Sequence, residues 1–276
     1  MLSILAICAA LFMALSWFQL WQTAIKQART DPSVKSFTTL LIGIATQIGL
    51  IVLVQQHHAP LVFDLKSAAL TIGLTMVCSI MLLSIFPRFN ALQLLVIPVN
   101  IAALIFAAIA YGIPTEADNM GIQATDEIAQ YGVGMRLHII LSVLAYSFAS
   151  LAFLQSCLLL YQDQRVKRHQ LDGSLRFIPP IQTIEQMLFD LILVSLLLLG
   201  GAILTGVIFI DDIMAQHLAH KTVFSVLSFL IFFALFLGRQ IWGWRGTKAV
   251  ILCSSGFFML MLAYFGTKFV LDVLLA

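Results

Sequence analysis

Long apolar runs recur along the whole chain and alternate with short polar segments. Each run is about 20 residues, which is the length of a helix that crosses a bilayer. The runs cover roughly residues 2–25, 37–55, 67–86, 91–111, 134–161, 185–210, 220–238 and 249–273. They lack the alternation of apolar and polar residues that a membrane β-strand shows. The pattern therefore predicts an all-α, polytopic membrane helix bundle of about eight transmembrane helices.

Composition agrees with a membrane protein. The chain is 61% hydrophobic and only 10% charged, with a mean hydropathy of +1.01, whereas soluble domains are typically about 25% charged. No soluble domain fits between the apolar runs, so we expect one integral membrane domain over residues 1–276. Within it, residues 1–130 form a variable four-helix front half, and residues 131–276 form the rear half that carries the candidate chemistry. Membrane lipid is the expected surrounding, and no nucleic acid is expected as a partner.

Basic residues predict the orientation of the chain. Most lysines and arginines fall in alternate loops, namely Lys26, Arg29, Lys35, Arg88, Arg165, Lys167, Arg168, Arg176, Arg239, Arg245 and Lys248. Short cytoplasmic loops carry an excess of such residues. We therefore expect these loops inside and both termini outside. No basic residue precedes Lys26, so the first apolar run is expected to be a retained helix and not a cleaved signal peptide.

Two histidines are the leading candidates for function. His138 and His220 each begin an apolar run at a predicted outer end, and each lies beside a cation, Arg136 or Lys221. Imidazole is the commonest metal ligand among side chains, and a cation can pair with a carboxylate. These residues suggest a non-covalent, b-type heme whose iron is bound by His138 and His220, with the cations holding the propionates. His217 shares a helix face with His220.

Other readings of the same residues remain open. Four cations lie near predicted outer helix ends, namely Lys66, Arg136, Lys221 and Lys268. One possibility is that these side chains extend along the lipid and place their charges at the interface. The other is that they share an anionic partner, such as a heme propionate or an acidic lipid headgroup, and in that case Lys268 is a further propionate contact. A zinc site is an alternative, with ligands drawn from His138, His217, His220, Asp211 and Asp212. A further alternative is that His138 and His220 are interfacial residues that form hydrogen bonds with loops and bind no metal. The four cysteines form no C-x-x-C pair, so covalent heme attachment is not expected, and no motif indicates an enzyme.

The rear half resembles the cytochrome c assembly transmembrane family, within it most closely the bacterial inner-membrane YpjD type. The resemblance covers roughly residues 130–270. It is carried by RLHIILSVLAYSFASLAFLQSCLLLYQ (136–162), LLLLGGAILTGVIF (196–209), HKT (220–222), GRQIWGWRGTKAV (238–250) and GFFMLMLAYFGTKFV (256–270). The resemblance implies a location in the bacterial inner membrane, and the outward-facing termini predicted from the basic residues are then periplasmic.

The resemblance also implies a role. Better-studied members handle heme for cytochrome c maturation and present it at the outer surface, on a tryptophan-rich segment flanked by two outer histidines. His138 matches the first of these histidines. The outer segment 211–219 contains no tryptophan, and residues 221–276 contain no second histidine. The expected function is therefore heme handling or cytochrome c assembly without the tryptophan-rich presentation motif, alongside another membrane or cytochrome assembly protein.

Two alternatives belong to other classes of protein. The bundle is a heme-free partner subunit of another membrane protein if the heme chemistry has been lost. It is a small-molecule transporter if a polar path crosses it. The first four predicted helices contain almost no ionisable residue at mid-depth, where transporters place such groups, so transport is the least favoured.

Overall fold

The computed structural model describes residues 2–27, 30, 33–57, 65–112, 132–168, 177–209 and 216–266. Helices form 92% of these residues, and no strand occurs among them. The helices are α1 (Leu2–Gln27), α2 (Val34–His57), α3 (Leu65–Leu83), α4 (Asn90–Ala110), α5 (Val133–Lys167), α6 (Ile181–Phe209), α7 (Gln216–Trp242) and α8 (Thr247–Met261). A 3₁₀ turn (Pro87–Phe89) precedes α4, and a π-helical segment (Leu262–Gly266) follows α8. The prediction of an all-α, multi-pass membrane bundle is confirmed.

Helix length agrees with membrane crossing. Within the part of the chain that the structure describes, seven helices are long and apolar enough to cross a bilayer, and α3 contributes a shorter apolar helix, Ser67–Leu83. An α-helix rises about 1.5 Å per residue, so the 35 residues of α5 extend well beyond a hydrocarbon core of about 30 Å. The expected orientation of the termini stays a prediction.

Several helices differ at their ends from the apolar runs, and α5 and α6 are examples. Helix α5 continues to Lys167, past residue 161 where its apolar run stops. Lys167 forms an ion pair with Asp163 at 2.6 Å, one turn earlier, and such pairs support a solvated helix. Helix α6 begins at Ile181, before its apolar run starts at Glu185. Hydropathy therefore locates the membrane-crossing part of each helix but not its ends.

The chain divides into two compact units. One comprises Met1–Gln130 with Asp172–Pro179, and the other comprises Tyr131–Leu171 with Pro180–Ala276. The first unit contains α1 to α4, and the second contains α5 to α8. Whether the protein is functionally a single membrane domain stays a prediction, and the units are described separately.

The first unit is joined by a buried pair of amide side chains. Gln47 on α2 and Asn100 on α4 are fully buried and bond each other reciprocally at 3.2 and 2.9 Å. Gln47 also donates to the Leu70 carbonyl of α3 at 3.0 Å, and Asn100 donates to the Met13 sulfur of α1 at 2.8 Å. The pair therefore connects four helices, which is a structural role.

The second unit is built on close helix contacts. Helix α5 packs along α6, α8 packs on α5 and α7, and α7 also contacts α6. Gly134 of α5 lies directly against the ring of Phe209 on α6, and Gly256 of α8 lies against the ring of Phe232 on α7. Small residues let helices approach closely in membranes, where packing replaces the hydrophobic driving force. The second unit holds both polar clusters discussed below.

Candidate functional site

His138 is held in place by the neighbouring helix. It is half-buried in the second turn of α5, and its Nδ1 atom lies 2.8 Å from the Ala202 carbonyl oxygen on α6. A carbonyl oxygen only accepts hydrogen bonds, so Nδ1 carries the proton and donates it. The Nε2 atom of a neutral ring then keeps its lone pair. The contact between α5 and α6 therefore fixes both the ring orientation and the tautomer of His138.

Thr205 lies beside this bond without replacing it. Its Oγ1 atom is 3.5 Å from His138 Nδ1, which is at the limit of a hydrogen bond. The hydroxyl donates instead within α6, to the carbonyls of Gly201 at 2.8 Å and Ala202 at 3.0 Å. Because the Ala202 carbonyl oxygen lies 2.8 Å from Nδ1 and the Thr205 oxygen lies 3.5 Å away, Ala202 is the acceptor for the His138 ring.

Arg136 and His138 are on different faces of α5. Residues two apart are separated by about 200° around an α-helix, and side chains at that spacing do not face each other. Arg136 is exposed, whereas His138 is half-buried against α6. A contact between Arg136 and a propionate of a heme bound at His138 therefore requires the arginine side chain to bend around the helix.

Lys221 contacts a tyrosine pair that sequence reasoning missed. Its Nζ atom lies 5.8 Å from the ring centroid of Tyr264 in the π-helical segment, within the range of a cation–π interaction. Tyr264 packs edge-on against Tyr146 of α5 at 6.2 Å, and the Tyr146 hydroxyl donates to the Leu260 carbonyl at 2.8 Å. These contacts connect α7, α5 and α8. Both tyrosines lie in segments that carry the family resemblance, 136–162 and 256–270. Their contact depends on the π-helical segment, a feature often found at functional sites, which is not readable from sequence.

The remaining predicted ligands lie outside the described residues. Asp211, Asp212 and Lys268 lie outside the described residues. For Lys66, His217 and His220 the structure describes the helical backbone but not the side chain. Within the described ranges, no group of three or more histidine, cysteine or acidic side chains is placed to hold a metal. The pairing of His138 with His220 and the zinc alternative both stay predictions.

A second polar cluster lies at the other end of α6. The Glu185 side chain is only 5% exposed. Its Oε2 atom accepts from Arg245 Nε at 2.9 Å, and its Oε1 atom accepts from the Gly246 backbone N–H at 2.9 Å. Arg239 Nη1 is 3.9 Å from Oε2, and its guanidinium lies over the Phe189 ring at 4.8 Å. One carboxylate thus ties α6 to the end of α7 and the start of α8.

The turn between α7 and α8 carries two tryptophans. Trp242 and Trp244 stack with ring centroids 5.6 Å apart. Gly243 and Gly246 adopt positive φ angles of 64° and 56°, which glycine adopts without steric cost. Sequence reasoning treated Arg239 and Arg245 only as markers of orientation and missed their shared carboxylate. A glutamate at the edge of an apolar run was the available signal.

These features define a class of protein. It is a multi-pass α-helical membrane protein. His138 lies near the start of α5 and is held through one ring nitrogen by the end of α6, and the ion-paired Glu185 lies near the start of α6.

Comparisons with known proteins identify the family. The family described as Cytochrome C assembly protein matches residues 65–275, so the chain belongs to this family. The match begins within the first unit, earlier than the motifs near residues 130–270 indicate. An uncharacterized 28.8 kDa protein of Azospirillum brasilense is 34% identical over 146 residues, 52% of this chain and 54% of that protein. Inner membrane protein YpjD of Escherichia coli strain K12 is 29% identical over 195 residues, 71% of this chain and 70% of that protein.

The similarity to YpjD confirms the expected resemblance. The chain spans about half the length of the Azospirillum relative. No solved structure matches the chain.

Proposed function

We propose that this protein binds a non-covalent, b-type heme in the bacterial inner membrane and takes part in heme handling during cytochrome c maturation. Family membership supports the role in maturation, and the relative from Escherichia coli is named an inner membrane protein. His138 is the proposed first iron ligand and His220 the second. Lys221, Arg136 and Lys268 are the proposed propionate partners, and His217 lies one turn from His220.

The tautomer of His138 is the observation that supports this proposal most directly. A histidine that binds a metal through one ring nitrogen almost always donates the other N–H to a carbonyl or carboxylate. His138 donates from Nδ1 to the Ala202 carbonyl at 2.8 Å, which leaves Nε2 as the free donor atom for iron. A heme would supply that iron, and the chain would supply the oriented imidazole.

The proposed role is heme handling without presentation on a tryptophan-rich surface. The segment DDIMAQHLA (211–219), where such a surface is expected, has no tryptophan. The four tryptophans lie elsewhere, at Trp17 and Trp21 in α1 and at Trp242 and Trp244 near the turn between α7 and α8. Transfer of heme to another protein therefore needs a different contact surface, such as one shared with a partner membrane protein.

Absorption spectroscopy on the purified full chain tests the proposal. Protein from heme-replete cells is expected to show a Soret band, and the His138→Ala variant is expected to lose at least tenfold in heme affinity. Loss of a group that only orients a metal ligand already costs about 10- to 100-fold. The His220→Ala variant is expected to change the low-spin spectrum of a bis-histidine heme, and His169→Ala serves as the matched control.

Two results would contradict the proposal. One is heme-free protein from heme-replete cells that shows no spectral response to added hemin. The other is an unchanged Soret band in the His138→Ala variant. If the heme-free protein instead purifies in a stable complex with another membrane protein, the accessory-subunit function replaces the heme-binding one.

A further inference from the structure

The turn between α7 and α8 lies at a membrane surface. It joins two helices that are each long and apolar enough to cross a bilayer, Lys221–Trp242 and Thr247–Tyr264. Only residues 243–246 separate the two helices. The turn and its flanking side chains are therefore at the depth of the lipid headgroups.

The turn has a defined shape. The Trp244 backbone N–H donates to the Gly238 carbonyl at 3.1 Å, and the Trp244 ring packs directly on Gly238, where a side chain would overlap it. Glu185 holds the other end through the Gly246 N–H. The turn therefore presents its exposed side chains from a fixed backbone, so a ligand that binds there does not have to order the backbone.

Positive charge exceeds negative charge at this turn. Among the described side chains, Glu185 is the acidic group that contacts the two guanidinium groups, with Arg245 at 2.9 Å and Arg239 at 3.9 Å. Lys248, exposed in the first turn of α8, adds another cation. The Arg245 side chain is 56% exposed, so about half of its surface remains accessible beyond the ion pair. One carboxylate therefore leaves an excess of cationic groups facing the headgroup region.

An apolar surface lies next to these cations. Trp242 is 66% exposed and is held by stacking on Trp244. Indole rings favour the boundary between headgroups and acyl chains, because one edge is polar and the ring is apolar. A ligand that binds both the cations and the exposed indole needs an anionic group, such as a phosphate, with apolar acyl carbons next to it.

We propose that this turn binds the headgroup of an anionic phospholipid. The phosphate contacts Arg245 and Lys248, and the glycerol and upper acyl carbons contact Trp242. Charge complementarity favours an anionic lipid over a zwitterionic one, and the position between two membrane-crossing helices favours a lipid over an acidic protein. The site differs from the proposed heme site, since it lies at the opposite end of α6 from Ala202.

Native mass spectrometry of the detergent-solubilised full chain tests the site. Phosphatidylglycerol and phosphatidylcholine with identical acyl chains are added at constant total lipid, and the bound lipids are counted. The wild type is expected to retain phosphatidylglycerol preferentially. Each basic residue near an anionic surface contributes about 1 kcal/mol, so Lys248→Gln is expected to weaken the preference about fivefold. Lys248→Arg keeps the charge and is expected to keep the preference.

Lys167→Gln is the matched control, because Lys167 is an exposed lysine at a helix end that is paired with Asp163. Its preference for phosphatidylglycerol is expected to equal that of the wild type. The proposal is wrong if Lys248→Gln keeps the full preference or if Lys167→Gln loses as much. Displacement of the lipid by an equal concentration of glycerol phosphate would reassign the site to a soluble phosphate. Absence of any preference for phosphatidylglycerol in the wild type would contradict the lipid site and favour an acidic protein as the partner of these cations.

Discussion

Replacing Glu185 with glutamine tests the polar cluster that joins three helices. The change keeps the size of the side chain and one carbonyl oxygen but removes the negative charge. Arg245 and Arg239 then face each other without the carboxylate between them, and one of the two hydrogen bonds at 2.9 Å is lost or replaced. The variant is expected to fold with lower stability.

The geometry sets the size of the loss. A hydrogen bond to a charged group contributes about 1.5–3 kcal/mol to folding. Glu185 is almost completely buried, but Arg245 is 56% exposed, so water can solvate the arginine again once its partner is gone, and the net loss falls toward the lower end of that range. We therefore expect Glu185→Gln to lower the free energy of unfolding by about 2 kcal/mol.

A double-mutant cycle in reversible micellar unfolding measures the pair directly. The cycle uses Glu185→Gln, Arg245→Gln and their combination, and the coupling is expected to be about 1 kcal/mol or more, as for contacting residues. The exposed pair of Asp163 and Lys167 is the control, because surface pairs within a helix give about 0.3–0.5 kcal/mol. A Glu185–Arg245 coupling no larger than that of the control would refute the assignment of a buried, helix-joining ion pair.

Two further substitutions test the packing of each unit. Gly134→Ala is expected to lower the free energy of unfolding by about 1–3 kcal/mol, because its Cβ would overlap the Phe209 ring. Gly49→Ala is the control, because a Cβ at this glycine inside α2 meets open space; an equal loss in the two variants would contradict this packing. Gln47→Leu strands the buried Asn100 amide and is expected to cost about 1–3 kcal/mol. The variant that combines Gln47→Leu with Asn100→Leu should lose less free energy of unfolding than the sum of the two single variants in the same unfolding assay. Strict additivity would show that the two amides are not paired.

The helices were predictable from sequence because lipid leaves few options. Continuous apolar runs of about 20 residues form helices when every backbone group needs an internal partner, and each of the eight predicted runs corresponds to an α-helix within the part of the chain that the structure describes. The helix ends were not predictable in the same way. Polar residues such as Asp163 and Lys167 extend α5 into water through their own ion pair, and hydropathy carries no information about that extension.

The candidate site was predictable only in part. His138 stands out because an ionisable residue at the edge of an apolar run is expensive. Its partner is the Ala202 carbonyl, 64 positions away in sequence. Every residue of a helix has a backbone carbonyl, so the sequence does not single out this one. Which carbonyl is chosen depends on how α5 packs against α6, including the close approach at Gly134. The hydrogen bond that selects the tautomer is therefore a product of tertiary packing.

Helix α6 connects the two polar clusters of the second unit. Glu185 lies in its second turn, and Ala202 lies two turns before its end at Phe209. At about 1.5 Å per residue these positions are about 25 Å apart, close to the thickness of the hydrocarbon core. Near one membrane surface α6 fixes the turn that carries Trp242 and Lys248, and near the other it fixes the imidazole of His138. Because the two clusters lie at different ends of the same helix, a change at Glu185 is expected to act on the contacts of α6 with α7 and α8, whereas a change at His138 is expected to act on the contact between α5 and α6 and on the proposed heme ligand.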